Sequence, residues 1–149
     1  RSIERQVKSW GLAGEIHYRG ELDLDHKVAF LQALDLYVVP ATYDDPKGIA
    51  LLEAMACGLP VLTSTTAGGV DLVEPGRTGF LVDNPSDSRA VADCLGKFQA
   101  LSQQDRRAMG IACCRVAEGR SFDATVEATE AMLQEVCRET GERPRRRAA

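Results

Sequence analysis

Leu36–Val82 reads LYVVPATYDDPKGIALLEAMACGLPVLTSTTAGGVDLVEPGRTGFLV. It holds three short apolar runs: LYVVP (Leu36–Pro40), PVLTS (Pro60–Ser64) and FLV (Phe80–Val82). Between the first two lies a segment patterned as a helix from about Gly48 to Cys57, with Gly58 as its stop. Between the last two come a glycine-rich turn, a helical turn VDLVE and the turn PGRTG. Short apolar runs joined by helices suit a parallel sheet covered on both faces.

The same alternation extends outward. Upstream, RSIERQVKSWGL patterns as a helix with Ile3, Val7 and Trp10 on one face and Gly11 as its stop. Glu15–Arg19 (EIHYR) alternates as a short strand closed by Gly20, and Leu24, Val28, Leu31 and Leu34 recur at helical spacing. Downstream, three helices are expected near 86–101, 103–119 and 122–139. Because crossovers between parallel strands are almost always right-handed, the expected fold class is α/β: a Rossmann-like, doubly wound parallel sheet with a helical C-terminal end. Ligands of such sheets bind outside the carboxyl ends of the strands, which directs attention to the loops after Arg19, Pro40, Ser64 and Val82.

The 149 residues, 44% hydrophobic and 27% charged, suffice for one domain with its own core. Residues 1–140 are read as that domain, and 141–149 as a disordered, Arg-rich tail. The longest uncharged run, Ala54–Val70, is broken by Gly58, Pro60, Gly68 and Gly69 and is too short to span a bilayer. The formal net charge is -4, yet the tail alone contributes four Arg against one Glu, leaving the first 140 residues at -7. An acidic body is a poor binder of phosphate backbones, so no nucleic-acid partner is expected for the folded part, and the Arg-rich tail, which could touch nucleic acid or lipid, is read as a solvated end. Five cysteines, at 57, 94, 113, 114 and 137, form an odd set without CxxC spacing and read as reduced core thiols of a cytoplasmic protein. Two histidines, His17 and His26, lack a surrounding ligand cluster, so neither a metal site nor another cofactor is expected. The chain begins with Arg1 in a helical pattern, as a piece of a longer protein would.

The chemistry concentrates in the loop after the second apolar run. From Gly48 to Leu62, Glu53 is the only charged residue. A helix so apolar is expected to be buried nearly all round, where a carboxylate is costly unless something pairs with it. Glu53 therefore either faces a narrow solvent stripe or accepts hydrogen bonds from ligand hydroxyls at the cleft. At the helix start, backbone N–H groups near Lys47 and Gly48 suit a phosphate, and Gly48 lets backbone approach a ligand closely. Asp45 before Pro46 has a complete structural explanation as N-cap and first helical residue. In a chain with 22 acids, a spacing of eight between Asp45 and Glu53 is commonplace and does not settle their roles.

The wider context is more specific. Asp45, Glu53, EAMACGLPVL (53–62), Gly68 with Gly69, and GRTGFLV (76–82) together resemble the donor-binding signature of family-4 (group 1) retaining glycosyltransferases, with RGEL (19–22) and LYVVPA (36–41) also fitting. The resemblance covers roughly residues 12–137 and implies the C-terminal, nucleotide-sugar-binding half of a GT-B fold. It implies Glu53 at the donor ribose, Asp45, the first acid of the motif and the catalytic candidate, beside the donor sugar, and Lys47, Gly48 and Ile49 with their backbone against sugar and diphosphate. Arg19 and Gly20 resemble the stretch that meets the nucleobase. The implied partners are a nucleotide-sugar donor and an N-terminal acceptor domain, with the parent in the cytosol or at the inner membrane face. A full-length parent would move a sugar to a glycan, lipid or small-molecule acceptor with retention, while this portion alone would be inactive. Departures from the pattern are Asp45 where Glu is usual, Lys47 where an aromatic is frequent, and a turn one residue short around Asp71, which receives no role. The alternative is a non-catalytic α/β nucleotide-binding or interaction module, in which Asp45 is a cap and Glu53 a structural acid.

Overall fold

A computed structural model describes residues 2–42 and 48–140. The chain divides into two compact units, residues 1–33 and 34–149.

The first unit contains α1 (Ser2–Ser9) and α2 (Leu24–Gln32). Val7 is buried, and the turn after α1 is closed by the Leu12 N–H donating to the Val7 carbonyl at 3.0 Å. The strand expected at Glu15–Arg19 is absent. The N–H groups of Glu15 and Ile16 both donate to the Leu12 carbonyl, a local turn that consumes the groups a strand would offer. No described residue pairs with 15–19, and a strand without a neighbour has no ladder to hold it. Asp23 caps α2 by accepting from the His26 N–H at 2.9 Å and also meets the His26 ring Nδ1 at 2.7 Å.

The second unit is built on a parallel three-stranded sheet in the order β1 (Tyr37–Val39), β2 (Val61–Ser64), β3 (Gly79–Val82). Tyr37 registers with Val61, and Val61 with Gly79. α3 (Ile49–Ala56) links β1 to β2, and a 3₁₀ turn (Val70–Leu72) precedes β3. α4 (Ser88–Gln99), α5 (Gln103–Glu118) and α6 (Phe122–Thr140) follow. All four residues of central β2 are buried, which is why its sequence runs on without alternation. Leu62 and Val82 pack with Cys94 of α4 on one face, joined by Leu36, Phe80, Val91 and Leu95. With period-two alternation, Val61, Thr63 and Gly79 point to the other face. The Cys113 thiol of α5 reaches the Thr78 carbonyl at 3.1 Å, while α5 also packs against α3. The sheet is therefore covered on both sides.

Local chemistry fixes the joints. α3 ends with the Leu59 N–H on the Ala54 carbonyl and the Gly58 N–H on the Met55 carbonyl, the paired bonds of a Schellman motif. α4 and α5 are capped by Asp87 and Ser102, and Ser102 both accepts from the Asp105 N–H and donates to its carboxylate. The Arg106 guanidinium lies 4.6 Å over the Phe98 ring and donates to the Gln99 carbonyl, joining α5 to the end of α4. α3 is not buried all round as its composition implies. Leu51, Ala54 and Met55 face the core, whereas Ile49, Ala50 and Ala56 are exposed, because aliphatic composition does not reveal how many sides of a helix find a partner. No described helix is long and apolar enough to cross a membrane.

Candidate functional site

At the carboxyl edge of the sheet, the end of β1, the start of α3 and the loop after β2 come together. Two hydroxyls stitch the strand ends: Thr63 Oγ1 donates to the Val39 carbonyl at 3.0 Å and Ser64 Oγ to the Ala41 carbonyl at 2.6 Å. The loop after β2 is held by the Thr65 N–H on the Val82 carbonyl and the Ala67 N–H on the Ser64 carbonyl.

Gly48 is the N-cap of α3 and sits in the left-handed region with φ +52°. A Cβ there would lie 2.5 Å from the Gly68 carbonyl oxygen and 2.9 Å from the Gly69 Cα. Conformation and contact both require glycine. Gly68 and Gly69, for which a plain turn and a close approach are both open in the sequence, make the close approach, and their contact is with Gly48. The small residues of two loops thus bring main chain against main chain where the helix begins.

Glu53 lies on α3 one turn after Ile49, half-buried on the stripe that Ile49 and Ala50 leave open. Ile49 is exposed over more than half its surface. Ile49 and Glu53 therefore share one face of α3, and Gly48 lies buried at the helix start against Gly68 and Gly69. Asp45 and Lys47 lie outside the described residues, as does the tail 141–149. Arg19 and Gly20 belong to the first unit, where Arg19 lines a cavity of about 390 Å³ with Ile3, Val7, Ile16 and Tyr18. Asp71 carries an exposed ion pair with Arg120 at 3.2 Å.

The end of the motif is architectural. Thr78 is fully buried, and its hydroxyl accepts from the Glu74 N–H at 2.8 Å, closing the turn before β3. A Cβ on Gly79 would collide with the Val61 carbonyl, so the two strands meet only because Gly79 has none. A larger hollow, about 900 Å³, opens at the amino ends of β1 and β2 between Asp35, Pro60 and Arg107. It lies at the edge opposite to the one where parallel sheets place their ligands. Ser64 and Thr66 were not singled out by the sequence; the hydroxyl run TSTT at a strand end was the available signal.

Comparison with known proteins identifies relatives of this arrangement. Residues 1–112 match the family described as glycosyl transferases group 1. D-inositol 3-phosphate glycosyltransferase from Corynebacterium jeikeium is 37% identical over 136 residues, which cover 90% of this chain and 31% of that protein. Sucrose-phosphate synthase from Thermosynechococcus elongatus superposes with a TM-score of 0.79 at 28% identity, covering 91% of this chain and 34% of that one. HepE from Anabaena in complex with UDP gives a TM-score of 0.74 at 25% identity, covering 90% of this chain and 36% of that one, and has also been solved with UDP-glucose. The chain spans about a third of the length of these relatives.

Proposed function

The chain belongs to the group 1 glycosyl transferases, with a mixed α/β fold that matches GT-B enzymes, and from that premise we propose that it is the donor-binding part of a sugar transferase. The observation that carries this reading is the contact of Gly48 with Gly68 and Gly69 at the carboxyl edge of the sheet, one turn before Glu53. It fixes the start of α3 against the loop after β2 at the edge where parallel sheets place their ligands, with Ile49 and Glu53 on the side of that helix left open.

In this reading, the backbone at Gly48 and Ile49 faces the diphosphate, Glu53 accepts hydrogen bonds from the ribose hydroxyls, and Lys47 adds a cation near the phosphates. Asp45 stands beside the transferred sugar, and Arg19 with Gly20 meets the nucleobase. Transfer breaks the bond between the sugar's anomeric carbon and the diphosphate oxygen and forms one from that carbon to the acceptor oxygen. The leaving nucleoside diphosphate takes the electron pair, and its oxygen takes up the proton that the acceptor gives up. Stabilising the charge on the departing diphosphate and holding the donor in line are the contributions this portion makes. An N-terminal domain of the parent supplies the acceptor side, the transfer proceeds with retention to a glycan, lipid or small-molecule acceptor, and the parent works in the cytosol or at its membrane face. UDP and UDP-glucose, the ligands of HepE, support a nucleotide-sugar donor.

Calorimetric titration of the chain with UDP and with GDP tests the reading. Binding of one of them in the millimolar range or tighter, weakened about tenfold or more by Glu53→Ala as expected for lost bonds to a charged acceptor, supports it. A wild type that binds neither, or a Glu53→Ala variant that binds as well as wild type, refutes the site.

A further inference from the structure

Ser64 ends β2 with a fully buried side chain, and its hydroxyl donates to the Ala41 carbonyl at 2.6 Å. A carbonyl only accepts, so the direction of this bond is fixed. The Ser64 oxygen also meets the Thr66 hydroxyl at 3.4 Å. With the Ser64 proton committed to Ala41, Thr66 must be the donor in that contact. When Thr66 donates in this long contact its single proton is turned inward, and its oxygen offers lone pairs to whatever lies outside.

Thr66 is exposed, in the loop whose Gly68 and Gly69 press on Gly48 at the start of α3. The bonds from Thr65 to Val82 and from Ala67 to Ser64 fix the loop on either side of it. We propose that Thr66 is a specificity-determining residue of the donor site, accepting a hydrogen bond from a hydroxyl of the transferred sugar. This rests on the donor-binding reading and adds a residue and a chemical preference to it. An ionised phosphate has no proton to give, so binding one at Thr66 requires breaking the inward contact. A sugar hydroxyl completes the chain instead, running from ligand to Thr66 to Ser64 to the Ala41 carbonyl, with each bond polarising the next.

The test compares each nucleoside diphosphate with its sugar conjugate, UDP with UDP-glucose and GDP with GDP-mannose, in wild type, Thr66→Val and Thr66→Ser. Valine keeps the shape and removes the hydroxyl; circular dichroism verifies the fold. In Thr66→Val the sugar conjugate is expected to bind about three- to tenfold more weakly, the worth of one neutral hydrogen bond, while the bare diphosphate binds as before. Thr66→Ser is expected to restore the wild-type ratio. Equal weakening of diphosphate and conjugate, or no change in either, overturns the assignment of Thr66. Failure of the wild type to bind any of the four refutes the donor-site reading itself, an outcome separate from the loss of the Thr66 effect.

Discussion

A methyl group at Gly48 is the most informative small change in this molecule. Gly48→Ala must hold an L-residue at φ +52° and force apart the Gly68 backbone 2.5 Å away. The left-handed conformation alone costs about 1–2 kcal/mol, so urea unfolding is expected to reveal a loss of at least that size, accompanied by weaker nucleotide binding. Glu53→Ala is expected to act chiefly on nucleotide binding, where the donor-site reading gives its carboxylate a ligand to hold. Cys113 offers a further check. Burial, with a smaller contribution from the neighbouring Cys114, pushes its thiol up to about 12 from an ordinary 9.0. Above pH 9 the unfolded chain ionises this thiol while the folded chain keeps it protonated, so the raised value favours unfolding as pH climbs toward 12. Stability measured by denaturant titration is expected to fall across that window, and Cys113→Ala to fall less steeply. A thiol reagent at pH 8 should modify Cys57 and Cys114, both half-buried, before Cys113, which is fully buried.

Individual elements were legible where a local pattern and its partner coincided. β2 carries no charged residue from Val61 to Ser64 because both of its faces are covered. α4 and α5 begin at the residues whose side chains cap them, Asp87 and Ser102, since the unpaired N–H groups of a first turn need such an acceptor. Ser102→Ala removes that acceptor and the reciprocal bond to Asp105, and is expected to cost about 1 kcal/mol, or roughly 2–4 °C in melting temperature for a chain of this size. Glu15–Arg19 shows the other outcome. Its alternation is that of a strand, but pairing depends on a neighbour that the segment itself does not specify, and Leu12 claims the N–H groups of Glu15 and Ile16 locally. Glu53 stood out as the only acid in an apolar helix, whereas Ser64 and Thr66 did not, because hydroxyls are common in turns and only their position at the sheet edge distinguishes them.

For the molecule as a whole, ligand linkage supplies the broadest prediction. A nucleoside diphosphate that binds only the folded chain stabilises it by about 2.7 kcal/mol at a hundred times its dissociation constant, which for this size is roughly 5–10 °C. Thermal melting with saturating UDP or GDP is expected to show such a rise in wild type and a smaller one at the same concentration in Glu53→Ala. On the proposed reading no sugar transfer is expected from the chain alone, since that reading assigns the acceptor side to another domain; turnover by this chain would show that it holds both sides.

Composition and periodicity by themselves determined the α/β class and the order of strands and helices from Leu36 onward, because these follow from which residues tolerate burial and from spacings of two and three to four along the chain, while the family was legible only in the motif that Glu53, EAMACGLPVL and GRTGFLV carry. They also singled out Glu53 and Gly48. What only the tertiary structure decided is contact between segments distant in sequence. Gly48 meets Gly68 and Gly69 across twenty residues, Gly79 admits the Val61 backbone, and Ser64 reaches back to Ala41 and so orients Thr66. Each depends on main-chain atoms being brought within van der Waals or hydrogen-bond distance by packing. A one-dimensional pattern records the residue that permits such an approach, but not the partner that makes it.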